Sequence, residues 1–143
     1  MAAFNKINVF VENFAEGVHD LGADTLKIML TNTAPVATNA VLGDLVDISA
    51  TDNGYTAGGQ TVTITSSAQT SGTYKLVGTD VVFTQTGAEV MGPFQYAVLY
   101  NSTPTTPLKP LIGWWDKGSA VTLSAGETFT VDFDGTDGIL QLV

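Results

Sequence analysis

Over Leu26–Thr31, and again in runs from Thr61 to the end, apolar residues of this chain recur at every second position, the runs broken by glycine, proline, asparagine and aspartate. A period of two places one set of side chains on each face of a pleated strand, whereas a helix needs apolar residues three and four apart. Glu127-Thr128-Phe129-Thr130-Val131-Asp132-Phe133 is the cleanest instance, with Phe129, Val131 and Phe133 on the face to be buried. Leu26, Ile28 and Leu30 alternate with Lys27, Met29 and Thr31, and Val62 and Ile64 alternate with Thr61, Thr63 and Thr65. Phe94 to Tyr100 is apolar on both faces, as expected of a central strand. Tyr74–Val77 and Val81–Thr84 read as a hairpin across Gly78-Thr79-Asp80. Leu111 to Asp116 and Val121 to Leu123 read as shorter strands, and the apolar end Gly138 to Val143 reads as a strand docked in a sheet.

About eight short strands without helical crossovers predict an all-β domain, an antiparallel β-sandwich with a jelly roll as first choice. The length of 143 residues suits one core, so residues 1–143 are read as a single β-sandwich domain. The first 22 residues differ. Phe10, Phe14, Val18 and Leu21 recur at helical spacing, which predicts an N-terminal arm followed by a short amphipathic helix, capped by Asn8 and stopped at Gly22. From Asn32 to Gly59 periodicity disappears, and so long an excursion is expected to be functional or ordered by a partner.

Composition removes several function classes. Cysteine is absent, which excludes disulfides, thiolate metal sites and cysteine nucleophiles. No apolar run approaches the roughly 20 residues that span a bilayer, and the N-terminus lacks the apolar core of a secretory signal, so synthesis in the cytoplasm is expected. The net charge is −9, with five scattered lysines and no arginine. Neither nucleic acid nor an anionic membrane is then an expected partner, since both are bound through basic clusters. Neutral or basic protein surfaces are.

Candidate chemistry is thin, and no enzyme, cofactor or metal ion is expected. His19, the one histidine, has Glu12, Glu16 and Asp20 near it in sequence; a solvated helix face accounts for this set better than a metal site does. Asp132, Asp134 and Asp137 suggest a calcium loop, but Asp137 stands where an EF-hand has glycine, and a strand end followed by an Asp-Gly turn is preferred. Trp114-Trp115 suggests sugar stacking; neighbours on a strand point to opposite faces, so one tryptophan is expected in the core and the other at a rim or interface. Asn53 to Gly59 lacks the features of a phosphate loop, and Asn101-Ser102-Thr103 is a glycosylation sequon by pattern only.

Asn5 to Pro35, Asn53 to Gly59, Phe94 to Asp116 and Ser124 to Val131 together resemble small structural proteins of tailed-bacteriophage virions, nearest to the jelly-roll capsid decoration, or cement, proteins. The resemblance implies a dimer or trimer on the outside of the phage head that stabilises the shell by bridging subunits of the major capsid protein. A tail or baseplate component and a carbohydrate-binding module are the alternatives. For a bridging role, the chemistry of the residues points to Phe4, Phe10 and Phe14 in the arm and helix, Tyr55 in the excursion, Pro107 in the connection Thr103–Pro110, and Trp114 and Trp115 as contacts. Deletion of residues 2–8 is expected to weaken capsid binding and leave the fold intact.

Overall fold

The computed structural model describes residues 2–143, whose regular structure is mostly antiparallel strand, with one α-helix and a 3-10 turn at Leu42–Asp44. The two segments with the most apolar character form its spine: β7 (Met91–Asn101) and β8 (Leu111–Leu123) pair along most of their length. β1 (Phe4–Lys6) adds to the outer edge of β8, while β2 (Leu26–Thr31) and β3 (Gln60–Thr61) continue the sheet beyond β7, giving the order β1-β8-β7-β2-β3. β4 (Ile64–Thr70), β5 (Thr73–Gly78) and β10 (Leu140–Leu142) make a second sheet in the order β10-β5-β4, and β6 (Val81–Thr84) pairs with β9 (Thr128–Val131).

The sheets cover one another, and a single cluster of buried side chains draws on all of them. Phe94 of β7 meets Phe129 of β9 edge-on at 5.0 Å, Trp115 of β8 lies 5.6 Å from Phe133, and Tyr55 stacks at 5.9 Å on Phe83 of β6. Such pairs contribute beyond the area they bury. The all-β, antiparallel class read from the sequence is thus the observed one. The partition into five, three and two strands differs from the two four-stranded sheets of a regular jelly roll.

Three local expectations are corrected. Tyr74–Val77 does not pair with Val81–Thr84: β5 already has β4 on one side and β10 on the other, and β6 pairs with β9. The hairpin partner of β5 is β4, across a two-residue turn at Ser71 and Gly72 (φ 51° and 83°), the type I′ geometry that matches strand twist. The helix α1 spans only Asn8–Ala15. It stops at Gly17 (φ 78°) rather than Gly22, because Gly17 N–H donates to Phe14 O and Val18 N–H to Asn13 O, the paired bonds of a Schellman stop. Asn8 lies within the first turn and makes no side-chain cap; Ile7 precedes it.

The third correction concerns the arm. The segment is part of the domain rather than appended to it: Phe4–Lys6 lies in the sheet, and the helix and the turn after it send side chains into the core. Phe4 pairs with Trp115 in register, Ile7 N–H donates to Ile112 O, and Ile7, Phe10 and Leu21 lie in the core. A Cβ at Gly113 would fall 2.3 Å from the Phe4 ring, so the bare glycine is what lets that ring lie across β8. Deleting residues 2–8 would therefore remove a strand and a core residue, so the structure argues against the expectation that the fold survives it unchanged.

A candidate protein-contact surface

The long excursion is ordered by its own polar side chains. Tyr55 is 5% exposed; its hydroxyl donates to Asp47 Oδ1 at 2.5 Å and accepts from Leu30 N–H at 3.2 Å. Gly58 N–H donates to Asp47 Oδ2 at 2.6 Å, and Tyr100 Oη donates to Gly58 O at 2.7 Å. Burial, then the bond to Asp47, pushes the Tyr55 phenol far above the ordinary tyrosine range, and burial pushes Tyr100 up to about 12. β3 ends at Gln60, opposite Ile28, so beyond that point Tyr55 Oη and the N–H of Ile48 take over the polar groups of Leu30. The excursion thus closes the edge of β2 that β3 leaves open. Asn53 performs the same service inside the loop: its Nδ2 donates to Ser49 O and Val90 O, and its Oδ1 accepts from Tyr55 N–H.

The excursion also meets the proline-rich connection. Leu42 N–H donates to Lys109 O, Leu111 N–H to Ala40 O, and Val41 bridges Pro110. Between these loops lies an open groove of about 540 Å³, walled by Met29, Leu42, Leu45 and Leu108 with Asp47 and Lys109 at its polar side. Leu108 is 60% exposed and Val46, next to Leu45, 67%. A second apolar surface is the outer side of α1, where Val11 is 52% and Phe14 40% exposed.

Of the residues singled out from the sequence, Phe10, Tyr55 and Trp115 are core residues and offer a partner almost no surface. Phe14 is exposed, whereas Phe4, Trp114 and Pro107 are half-buried. The two tryptophans lie on opposite faces of β8, and Trp115 is held between Phe4 and Phe133. They form no flat stacking platform. Leu42, Val46 and Leu108 carried no periodic signal; an apolar residue set among turn-forming neighbours was the one available cue.

His19 is not on a helix face. It lies beyond the Schellman stop, 5% exposed, with its ring 5.2 Å from that of Phe10. Its neighbour is Asn101, the residue of the apparent sequon, which is fully buried. Thr103 N–H donates to Asn101 Oδ1, which fixes the amide: Nδ2 then donates to Asp24 Oδ2 at 2.6 Å and to His19 Nδ1 at 3.2 Å. Nδ1 is therefore the acceptor and the proton sits on Nε2, which has no partner among the described residues. Burial lowers the pKa of His19, partly offset by the Asp24 charge. The arrangement is a structural hub joining β7 to the turn after α1.

The calcium-like segment folds as the turn preferred from its sequence. Asp134 Oδ1 accepts the N–H groups of Thr136 and Asp137, both at 2.7 Å, and Asp134 bridges Gly138. Those two main-chain bonds hold the Asp134 carboxyl below the usual carboxylate range. Among the described residues no three histidine, aspartate or glutamate side chains gather as a metal site would require. No helix among the described residues is long and apolar enough to cross a membrane. No protein-family model matches the chain, and neither a curated protein nor a solved structure matches it.

Proposed function

We propose that this protein is a non-enzymatic component of a tailed-bacteriophage virion, a decoration protein that binds the outside of the assembled head and bridges neighbouring copies of the major capsid protein. The observation that carries the reading is the open groove of Leu42, Leu45 and Leu108, with Leu108 60% exposed at its wall. Exposed apolar side chains rimmed by polar ones suit a protein partner, and aliphatic anchors entering such a groove supply the binding energy. The resemblance of Asn5–Pro35 and the later segments to virion proteins supplies the identity of that partner. Binding only the assembled lattice shifts the equilibrium toward the intact shell, which is how such a subunit resists the pressure of packaged DNA.

Quantitative mass spectrometry of gradient-purified virions tests the reading through the copy number relative to the major capsid protein. A ratio near one, or a simple fraction of it, supports decoration. A handful of copies per particle moves the protein to the tail or baseplate. Absence from the particle overturns the virion reading and brings forward the carbohydrate-binding alternative, which glycan retention lost on Trp114→Ala would then establish. The groove is tested by Leu108→Asp, which should abolish binding to expanded heads while leaving the thermal melt unchanged.

A further inference from the structure

Among the described residues β4 is the longest strand at a sheet edge. It has seven residues, against three each for β1 and β10, two for β3 and four each for β6 and β9. Its side chains from Thr65 to Thr70 are all exposed, and only its β5 side is paired. Edge strands are ordinarily protected by lysine, proline or a bulge, because unpaired N–H and C=O groups invite another strand. After the irregularity between Ile64 and Ser66, β4 has none of these: its remaining residues are Ser-Ser-Ala-Gln-Thr in unbroken register with β5.

We infer that β4 is the contact through which two copies of this chain associate, pairing β4 with β4 antiparallel about a twofold axis at Ala68. Three observations choose a second copy over another partner. The first is charge. The chain carries −9 overall, so two copies repel across most of their surfaces, yet no charged residue occurs from Asn53 to Tyr74. The strand itself offers a basic partner no acid, Asp20 beside Ser67 being the nearest, so a like-charged copy meets less repulsion here than across the acidic remainder of the surface.

The second observation is register. The turn at Ser71-Gly72 makes Thr70 and Thr73 its closing pair, and Ala68 lies opposite Lys75. In an antiparallel ladder the inward and outward polar groups alternate, so Ser67 and Gln69 turn their N–H and C=O groups to the free edge. A twofold axis at Ala68 sets Ser67 against Gln69 of the other copy and Gln69 against its Ser67, and each pair exchanges two hydrogen bonds. The third is size: Ala68, facing its own counterpart across the axis where the two strands approach closest, is the smallest side chain in the strand other than glycine. The interface is self-complementary and closes at two subunits. It is independent of the virion reading and of the Leu108 groove.

The test is the mass in solution of the wild type, Ala68→Glu and Ala68→Lys, by sedimentation or light scattering. Like charges directly opposite across an antiparallel pair are destabilising, and opposite charges are not. The wild type should have twice the chain mass of 14.9 kDa. Each variant alone should fall to the chain mass with an unchanged circular dichroism spectrum, and an equimolar mixture of the two should recover the dimer. Because Ala68→Lys also faces Lys75 within its own sheet, Ala68→Glu provides the result if the lysine variant fails to fold. A monomeric or trimeric wild type overturns the inference. So does a dimer untouched by Ala68→Glu, or a folded pair of variants that fails to recover on mixing.

Discussion

Replacing Tyr55 by phenylalanine tests whether the excursion is held by the bonds described, because it removes one oxygen and leaves the ring that stacks on Phe83. Leu30 N–H, in a strand residue with no exposure, loses its acceptor, and Asp47 loses a donor while keeping Gly58 N–H. An orphaned buried main-chain donor costs about 1–3 kcal/mol, and a bond to a carboxylate contributes about 1.5–3 kcal/mol. Asp47 is half-buried and is rehydrated in the variant, so the smaller end of its range applies. A loss of roughly 3 kcal/mol follows. For a chain of this length that lowers Tm by about 6–12 °C.

Urea unfolding is the assay. The midpoint should fall with the m-value unchanged, since the surface exposed on unfolding stays the same. Tyr100→Phe provides the comparison: it removes one donor from the half-buried Gly58 carbonyl and should cost about 1 kcal/mol. A double-mutant cycle of Tyr55→Phe with Asp47→Ala should give a coupling of at least about 1 kcal/mol. A loss below about 0.5 kcal/mol for Tyr55→Phe, the ordinary scatter of surface changes, would refute the staple.

Two further outcomes follow from the same structure. Deletion of residues 2–8 should cost at least about 4 kcal/mol, because Ile7 is fully buried and β1 is hydrogen-bonded to β8; an unchanged urea midpoint would show the arm to be dispensable. His19 should make stability fall in mild acid. Its pKa is lowered in the native state, so below its ordinary value of 6.5 the unfolded chain takes up the proton first. Stability is therefore constant above that value and declines by up to about 1.4 kcal/mol per pH unit down to the native pKa. The urea midpoint followed between neutral pH and pH 5 measures this, and His19→Gln should flatten the profile.

The strand class was legible because β9 buries one face, which imposes the period of two, while β2 and β7 are largely buried on both faces and read as short apolar runs. β4 escaped because its side chains from Thr65 onward face water on both sides, so nothing selects their polarity. The hairpin partner of β5 was misjudged for a related reason. Gly78-Thr79-Asp80 has good turn chemistry, but Ser71-Gly72 has the two positive φ angles that a two-residue hairpin needs, and both edges of β5 were already taken. In the N-terminal segment the residues at helical spacing were real, yet Gly17 stops the helix before Val18 and Leu21 can join it. Aromatic character alone did not separate contact from core: Phe10, Tyr55 and Trp115 are the very side chains the fold consumes. His19 and Asn101 are far apart in sequence, and no local pattern announces that one will fix the tautomer of the other.

The acidity of the chain has a structural cause as well as a surface effect. Nine of the fourteen acids accept main-chain N–H bonds: Asp20, Asp24, Asp44, Asp47, Asp52, Asp80, Asp116, Asp134 and Glu127. In a domain of short strands and many turns, main-chain donors left free by the sheets need acceptors, and a short carboxylate side chain reaches them. Asp44, Asp116 and Asp134 are held below the ordinary carboxylate range by such bonds, with Gln95 contributing most at Asp116. Because these groups are exposed, each bond is screened and adds little by itself. Their sum is a set of fixed loops that stay charged at any pH above the carboxylate range. In the readings proposed above, recognition uses the aliphatic groove around Leu108, with Asp47 and Lys109 at its polar side, and the β4 edge, whose own residues carry no charge.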